Sequence, residues 1–135
     1  MKKIIPTLIL ALLICGFKGI SPNKQTVSNY IAGFNAGDHQ KILACLSDDV
    51  IWEMPGVYAH SGKAAFDKEI ENEGFTGRPS IKITRMVEEK DIVVAEGSVS
   101  GKRITGEAFN AVFCDVFHFK KGKISKLTSY LMFKK

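Results

Sequence analysis

The sequence predicts a single α+β domain, and two observations carry that prediction. In the first half of the chain apolar residues recur at helical spacings, whereas from residue 80 onward they alternate with a period of two, as in strands. Turn residues divide the second half into neighbouring hairpins, which favours an antiparallel meander with the helices kept apart from it. The chain has 135 residues, 45% of them hydrophobic, which suits one core and leaves no room for a second domain.

The first predicted helix carries Val27, Tyr30, Ile31 and Phe34 on one stripe, at positions i, i+3, i+4 and i+7. Gly37 stands where a C-terminal cap belongs, because glycine adopts the left-handed conformation at little cost. The stripe therefore predicts a helix that packs against a core.

A second helix is expected to begin after Asp38, which can cap it, and to run past Leu46 into residues 47–49. A short strand at 50–54 is ended by Pro55-Gly56, and residues 62–73 are typical of a third helix. The remaining strands are expected from residue 80, over 92–100, over 107–119 and over 123–133, with turns at 89–91, 100–102 and 120–122. The predicted order is α-α-β-α-β-β-β-β.

The N-terminus has the pattern of a secretion signal. Lys2 and Lys3 form a positive region, and residues 4–15 form an apolar stretch of twelve residues, too short to span a bilayer. We expect residues 1–21 to be removed, with cleavage between Gly16 and Ser21, and residues 22–135 to form an exported domain without a transmembrane segment. Residues 12–15 also resemble a lipobox, so lipid attachment to Cys15 is the alternative, although Ile14 departs from that pattern.

The net charge of +5 does not predict nucleic-acid binding. Three of the lysines lie in the predicted signal, and without them 16 basic and 14 acidic residues leave +2, an ordinary protein surface. The lysines near the C-terminus are typical of turns, edge strands and tails. The three histidines are scattered and no Cys-x-x-Cys occurs, so the sequence predicts no metal site and no cofactor.

Asp115 is the residue most suggestive of chemistry. Strict alternation along 107–119 places it on one face of a strand with four apolar side chains, and His118 on the other face. The apolar neighbours are Ala111, Phe113, Phe117 and Phe119. If this face is buried, desolvation raises the pKa of Asp115 and makes it a proton donor; if it is solvated, or if Asp115 is tied to a backbone N–H or a lysine, the carboxylate is ordinary.

Five segments of the chain carry a recognisable pattern. They are Tyr30-Ile31-Ala32-Gly33-Phe34-Asn35-Ala36-Gly37-Asp38, Leu46-Ser47-Asp48-Asp49-Val50, Trp52-Glu53-Met54-Pro55-Gly56, Ser61-Gly62 and residues 113–124. Together these segments resemble the nuclear transport factor 2-like superfamily, in particular the SnoaL-like proteins and ketosteroid isomerase. The resemblance spans essentially the whole predicted mature chain. It implies a cone-shaped curved sheet wrapped around three helices, with an apolar pocket at the open end and, often, a homodimer packed through the sheets.

The resemblance to ketosteroid isomerase further implies that Tyr30 and Asp115 form an oxyanion hole. The general base of that enzyme falls on Met54, and a thioether cannot abstract a proton. Glu53, Glu96 and Glu107 are left as possible bases. Tyr30 can equally be a core residue of its helix stripe.

Three functions are compatible with these residues. The first is an isomerase, lyase or hydrolase in which Asp115 and Tyr30 act on a small hydrophobic substrate. The second is a binding module without catalysis, and the third is a structural or protein-interaction dimer domain of the cell envelope. The predicted pocket residues are Trp52, Met54, Phe66, Phe113, Phe117 and Phe119. His60, in the loop expected over residues 58–62, is placed at the mouth of this pocket.

Overall fold

The computed structural model describes residues 19–71 and 74–134. Its elements are α1 (Pro22–Ala36), α2 (His39–Ala44), β1 (Leu46–Met54), β2 (Tyr58–Ser61), α3 (Lys63–Ile70), β3 (Phe75–Glu89), β4 (Ile92–Arg103), β5 (Ala108–Lys120) and β6 (Lys123–Phe133). The α+β class and the curved sheet predicted from the sequence are confirmed. The predicted signal and its Cys15 lie outside the described residues, apart from the last residues of that segment.

The six strands form one open sheet in the order β2-β1-β6-β5-β4-β3. The meander from β3 to β6 is antiparallel, as the hairpin pattern predicts, and β1 also pairs antiparallel with β2. One pair, β1 with β6, is parallel. Three helices pack on the concave face, so the sheet has a buried side and a solvated convex side.

Local signals set the two N-terminal helices. Ser21 caps α1 by accepting from the Lys24 N–H, and Gly37 ends the helix with φ +65°. Asp38 caps α2 by accepting from the Lys41 N–H. At Gly33 a Cβ would lie 2.7 Å from the Ile42 side chain, so a larger residue would push α1 and α2 apart. Both caps predicted from the sequence are confirmed.

Two predicted boundaries are wrong near the start of the sheet. The second helix does not run past Leu46; it ends at Ala44, and Leu46 already belongs to β1. Pairing with β6 accounts for this, because the Ile124 N–H donates to the Cys45 carbonyl and Leu46 aligns with Ile124. Tertiary pairing here overrides the local helical pattern.

The segment 58–61, expected as a loop, is the short strand β2, which adds one strand to the predicted order. It pairs with β1 through Trp52 opposite His60 and Met54 opposite Tyr58. The expected turn at 100–102 is also wrong: β4 continues to Arg103, and Gly106, with φ +87°, lies in the turn to β5. Cross-strand pairing as far as Lys102 with Ala108 extends both strands.

The core lies between the helices and the concave face of the sheet. Its most buried large side chains come from α1, α2, α3 and the strands: Val27, Ile42, Phe66, Leu46, Val50, Val93, Phe117, Ile124 and Leu127. No helix within the described part of the chain combines the length and apolar character needed to cross a membrane.

Candidate active site on the concave face

Asp115 lies on the concave face of β5, among core residues. Cross-strand register aligns it with Ala95 of β4 and Ser129 of β6, and Phe113 and Phe117 share its face. Burial raises the pKa of the Asp115 carboxyl from its usual range to about 7, and a hydrogen bond from Ser129 opposes part of that rise. A carboxyl in this state carries a proton at mildly acidic pH and exchanges it near neutrality.

Ser129 links Asp115 to an indole. The Trp52 Nε1–H donates to Ser129 Oγ at 3.2 Å, and the hydroxyl proton of Ser129 is then available to Asp115. Both polar groups are buried or half-buried, so each relies on this chain of hydrogen bonds. These hydrogen bonds fix the orientation of the Asp115 carboxyl with respect to the sheet. Ser129 was not among the residues singled out from the sequence.

Tyr30 reaches the same region from α1. Its ring makes edge contacts with Phe117 and Phe34, at centroid distances of 5.5 and 5.0 Å, and only 3% of the residue is exposed. Burial, and then the charge of Asp115, raise the pKa of the Tyr30 phenol well above its usual value. Tyr30 therefore keeps its proton within electrostatic range of the Asp115 carboxyl, which is compatible with both predicted roles, a core residue and a donor to substrate.

Tyr58 is a second phenol whose pKa is affected by the charge of Asp115. It lies on β2, and burial together with the charges of Asp115 and Glu69 raises its pKa to about 12. Sequence reasoning placed this segment in a loop and so missed Tyr58. The alternation of Tyr58 and His60 around an exposed Ala59 is the signal that could have identified the strand and its inward face.

His60 lies on the same face of β2 as Tyr58, with ring centroids 4.8 Å apart. Its Nε2 is 3.6 Å from the Glu69 carboxylate of α3, beyond hydrogen-bonding distance. Trp52 completes this end of the site, because its ring stacks on Phe66 at 4.6 Å and meets Tyr58 edge-on at 5.4 Å. The structure thus brings His60 to the aromatic group that surrounds Asp115.

The residues predicted to line a pocket differ in burial. Trp52 and Met54 are partly exposed, whereas Phe66 and Phe117 have almost no exposed surface and form the packed floor beneath Tyr30. Phe113 lies over Gly97, where a Cβ would come within 2.6 Å of its ring. Phe119 is also buried, but it lies four residues from Asp115, close to the β5–β6 turn.

The three glutamates considered as bases are placed away from Asp115. Glu53 lies on the convex face, where it bonds to Lys126 at 2.8 Å and Thr128 at 2.9 Å, and these bonds lower its pKa. Glu96 lies on the same face with Arg85, at 2.9 Å. Glu107 lies in the β4–β5 connection, at the far end of β5.

The arrangement therefore supplies proton donors on one side and a methionine where the resemblance to ketosteroid isomerase places the base. Asp115, Tyr30 and Tyr58 can donate to a carbonyl or developing oxyanion. Met54, opposite Tyr58 in the β1–β2 pair, is partly exposed and contributes only apolar surface. Among the described residues, no group of three His, Cys, Asp or Glu side chains is arranged to hold a metal ion.

These features match a known family. The sequence profile of the SnoaL-like domain matches residues 27–127, and the chain belongs to that family, within the nuclear transport factor 2-like superfamily. No curated protein matches the chain at a significant level.

Solved structures share the fold over most of both chains. A nuclear transport factor 2-like protein of unknown function from Burkholderia pseudomallei has a TM-score of 0.78 and 20% identity, covering 84% of this chain and 92% of that one. A candidate polyketide cyclase from Xanthomonas campestris pv. campestris has a TM-score of 0.74 and 24% identity, with 81% and 89% covered. An LEH-like epoxide hydrolase from Mycobacterium tuberculosis has a TM-score of 0.73 and 18% identity, with 82% and 83% covered. At these identities the likeness establishes the fold alone.

Proposed function

We propose that this protein binds a small hydrophobic molecule bearing a carbonyl or hydroxyl group and that Asp115, assisted by Tyr30, exchanges a proton with it. The observation that carries the proposal is the placement of a lone carboxyl among concave-face core residues, with a pKa of about 7. Such a group is neutral enough to donate and ionisable enough to accept near physiological pH. The reaction class is that of an isomerase, lyase or hydrolase acting through acid–base chemistry.

A single carboxyl can both donate and accept a proton during one reaction when the substrate or a water molecule exchanges the other proton. This route suits the present site, because Met54 stands at the position of the base and Glu53 and Glu96 are tied to cations on the convex face. Tyr30 and Tyr58 retain their protons at neutral pH, since burial raises the pKa of both phenols. They would act as hydrogen-bond donors to developing negative charge.

The test uses 4-nitrophenol as an oxyanion probe, because its phenol and phenolate absorb at different wavelengths. An oxyanion hole at Asp115 should bind the probe and enrich its ionised form at a pH below the probe's own pKa. Asp115→Asn and Tyr30→Phe should each reduce that enrichment by about tenfold or more. Tyr130→Phe is the matched control, since Tyr130 is half-exposed on the convex face.

Binding of the neutral phenol alone, with unchanged affinity in Asp115→Asn, would rule out the oxyanion hole. That outcome would favour a binding module without catalysis, which the methionine at the base position already supports. A panel of apolar ketones, epoxides and hydroxy compounds assayed with wild type and Asp115→Asn then separates turnover from binding.

A homodimer through the convex face is part of this proposal. The convex patch, defined here as Ile51, Val87, Tyr130 and Met132, is apolar and between 40% and 69% exposed at each residue. Paired strands extend it through Val112, Cys114 and Val116. Exposed apolar surface of this kind is typical of an interface, and Tyr130→Glu should shift a dimer to monomer in sedimentation velocity.

Export is the remaining part of the proposal. Ser21 caps α1 and its hydroxyl also donates to Glu88 of β3. Removal of residues 1–21 would break both bonds, so we place the cleavage on the N-terminal side of Ser21 instead. Mass spectrometry of the protein secreted with its own N-terminus should give a chain that begins between residues 17 and 21. Retention of Cys15 with added acyl mass would establish the lipid-anchored alternative instead.

A further inference from the structure

A second cleft lies at the far end of β4, β5 and β6, with a volume of about 830 Å³. Its lining includes Val99, Arg103, Phe109, Phe133 and Lys134. Ala111, which also lines the cleft, is four residues from Asp115 along β5, about 13 Å in an extended strand. Asp115 is therefore not part of the cleft lining, and the experiments below distinguish a ligand bound here from one bound at Asp115.

Aromatic rings form an unusual exposed cluster beside this cleft. Phe75 and Phe109 have ring centroids 4.9 Å apart, and Phe109 and Phe133 are 6.1 Å apart. Phe75 is 38% exposed and Phe133 is 48% exposed. At Gly101 a Cβ would come within 2.7 Å of the Phe109 ring, so glycine lets this ring lie close to the β4 backbone. Clustered exposed rings offer a flat apolar surface for a ligand.

Arg103 supplies a cation over this surface. Its guanidinium carbon lies 5.2 Å from the centroid of Phe133 and 5.9 Å from that of Phe75. The Glu107 carboxylate is 3.9 Å from Arg103 Nε, beyond hydrogen-bonding distance, so the planar donors keep capacity for another carboxylate. Lys134 also lines the cleft, and together the two cations outweigh Glu107.

We propose that this Arg103 cleft binds an organic anion with a flat aromatic body. The carboxylate of the ligand pairs with the Arg103 guanidinium, and its rings lie against Phe109 and Phe133. The volume is in the range that holds a molecule of drug size. Glu107 at the edge of the cleft disfavours polyanions such as nucleic acid, whereas a single carboxylate faces a net positive site.

The experiment compares 2-naphthoate with 2-naphthamide by isothermal titration calorimetry on the full chain. The two probes have nearly the same shape and differ in charge, so the comparison isolates the contribution of Arg103. We expect 2-naphthoate to bind wild type about tenfold tighter than 2-naphthamide. Arg103→Gln should abolish this difference, whereas Lys102→Gln, on the neighbouring exposed position, should preserve it.

A second variant keeps the test decisive if Arg103→Gln unfolds. Glu107→Gln removes the competing carboxylate and should tighten 2-naphthoate binding about two- to fivefold while leaving 2-naphthamide unchanged. Amide chemical shifts locate the ligand: Gly101 and Phe109 should move, and Tyr30 and Asp115 should stay in place.

Any of three affinity results would overturn the proposal. They are equal affinity for the two probes, an unchanged preference for 2-naphthoate in Arg103→Gln, and no binding of 2-naphthoate at millimolar concentration. Shifts confined to Tyr30 and Asp115 would also reject the Arg103 cleft while supporting a ligand site at Asp115. Conversely, loss of 4-nitrophenol binding in Asp115→Asn leaves the Arg103 cleft untouched, so the two proposals fail separately.

Discussion

The two faces of the sheet shift the pKa of a carboxyl group in opposite directions. On the concave face Asp115 lies among apolar rings, and burial raises its pKa to about 7. On the convex face Glu53 is bound by Lys126 and Thr128, and its pKa falls below the usual range. The comparison shows that two strands of one sheet can raise the pKa of a carboxyl on one face and lower the pKa of a carboxyl on the other.

The largest expected contrast between the faces is in packing. Phe117→Ala removes a ring that is fully buried against Tyr30, so we expect a loss of about 3–5 kcal/mol in the free energy of unfolding. Val116→Ala, one residue away on the partly exposed convex face, should cost about 1 kcal/mol. Urea denaturation of both variants measures the difference, and equal losses would mean that the concave face is not the packed one.

The second contrast is the dependence of stability on pH at Asp115. Because the folded-state pKa is raised, the fold favours the protonated carboxyl, and stability is lost as pH rises from about 4 through about 7. Asp115→Asn should therefore be nearly neutral at pH 4 and should stabilise the protein by about 2–4 kcal/mol at pH 8. Denaturation at the two pH values checks this, and a variant less stable than wild type at pH 8 would show that Asp115 is ionised and well solvated.

A smaller effect is expected when the hydrogen bonds that link Trp52, Ser129 and Asp115 are removed. Ser129→Ala deprives the Trp52 indole of its acceptor and Asp115 of its donor, at a cost of about 1–2 kcal/mol. It should also move the pKa of Asp115 further upward, because the Ser129 hydrogen bond lowers it. Carbon-13 NMR titration of the carboxyl measures this. Ser98→Ala, on the convex face, is the control, and a fall in the Asp115 pKa in Ser129→Ala would contradict the assignment.

The smallest effect is expected at Glu53, with the opposite dependence on pH. Its lowered pKa means that the ionised carboxylate stabilises the fold above the unfolded pKa, and this contribution disappears as pH falls. Glu53→Gln should therefore be slightly less stable than wild type at pH 8 and equal to it at low pH, with a weaker effect in high salt. Thermal unfolding at both pH values tests this. A stabilising effect at pH 8 would remove the contrast with Asp115.

Much of this contrast could be predicted from the sequence. The period of two along β5 placed Asp115 opposite in parity to His118, and the structure keeps them on opposite faces. The caps at Gly37 and Asp38 were also predicted, because caps depend on one or two adjacent residues. Local periodicity and turn chemistry are properties that a sequence displays directly.

The features that the sequence did not predict depend on contacts between residues far apart in the sequence. Ser129 meets Trp52 across 77 positions, and its role becomes visible only when β6 lies beside β1. Tyr58 belongs to the site because β2 pairs with β1, and its four-residue segment offers only a short alternation as a local signal. Glu53 was a possible base until the fold placed Lys126 and Thr128 against it.

The sequence by itself therefore determined the α+β class, the order of most elements and which side chains share a strand face with Asp115, since each follows from spacing along the chain. Only the tertiary structure decided which hydroxyls and rings surround that carboxyl, where the other carboxylates lie, and that Arg103 meets Phe75 and Phe133 at the far end of the sheet. The physical reason is that desolvation, charge pairing and cavity shape arise from strands brought together across the sheet, and no local window of sequence contains them.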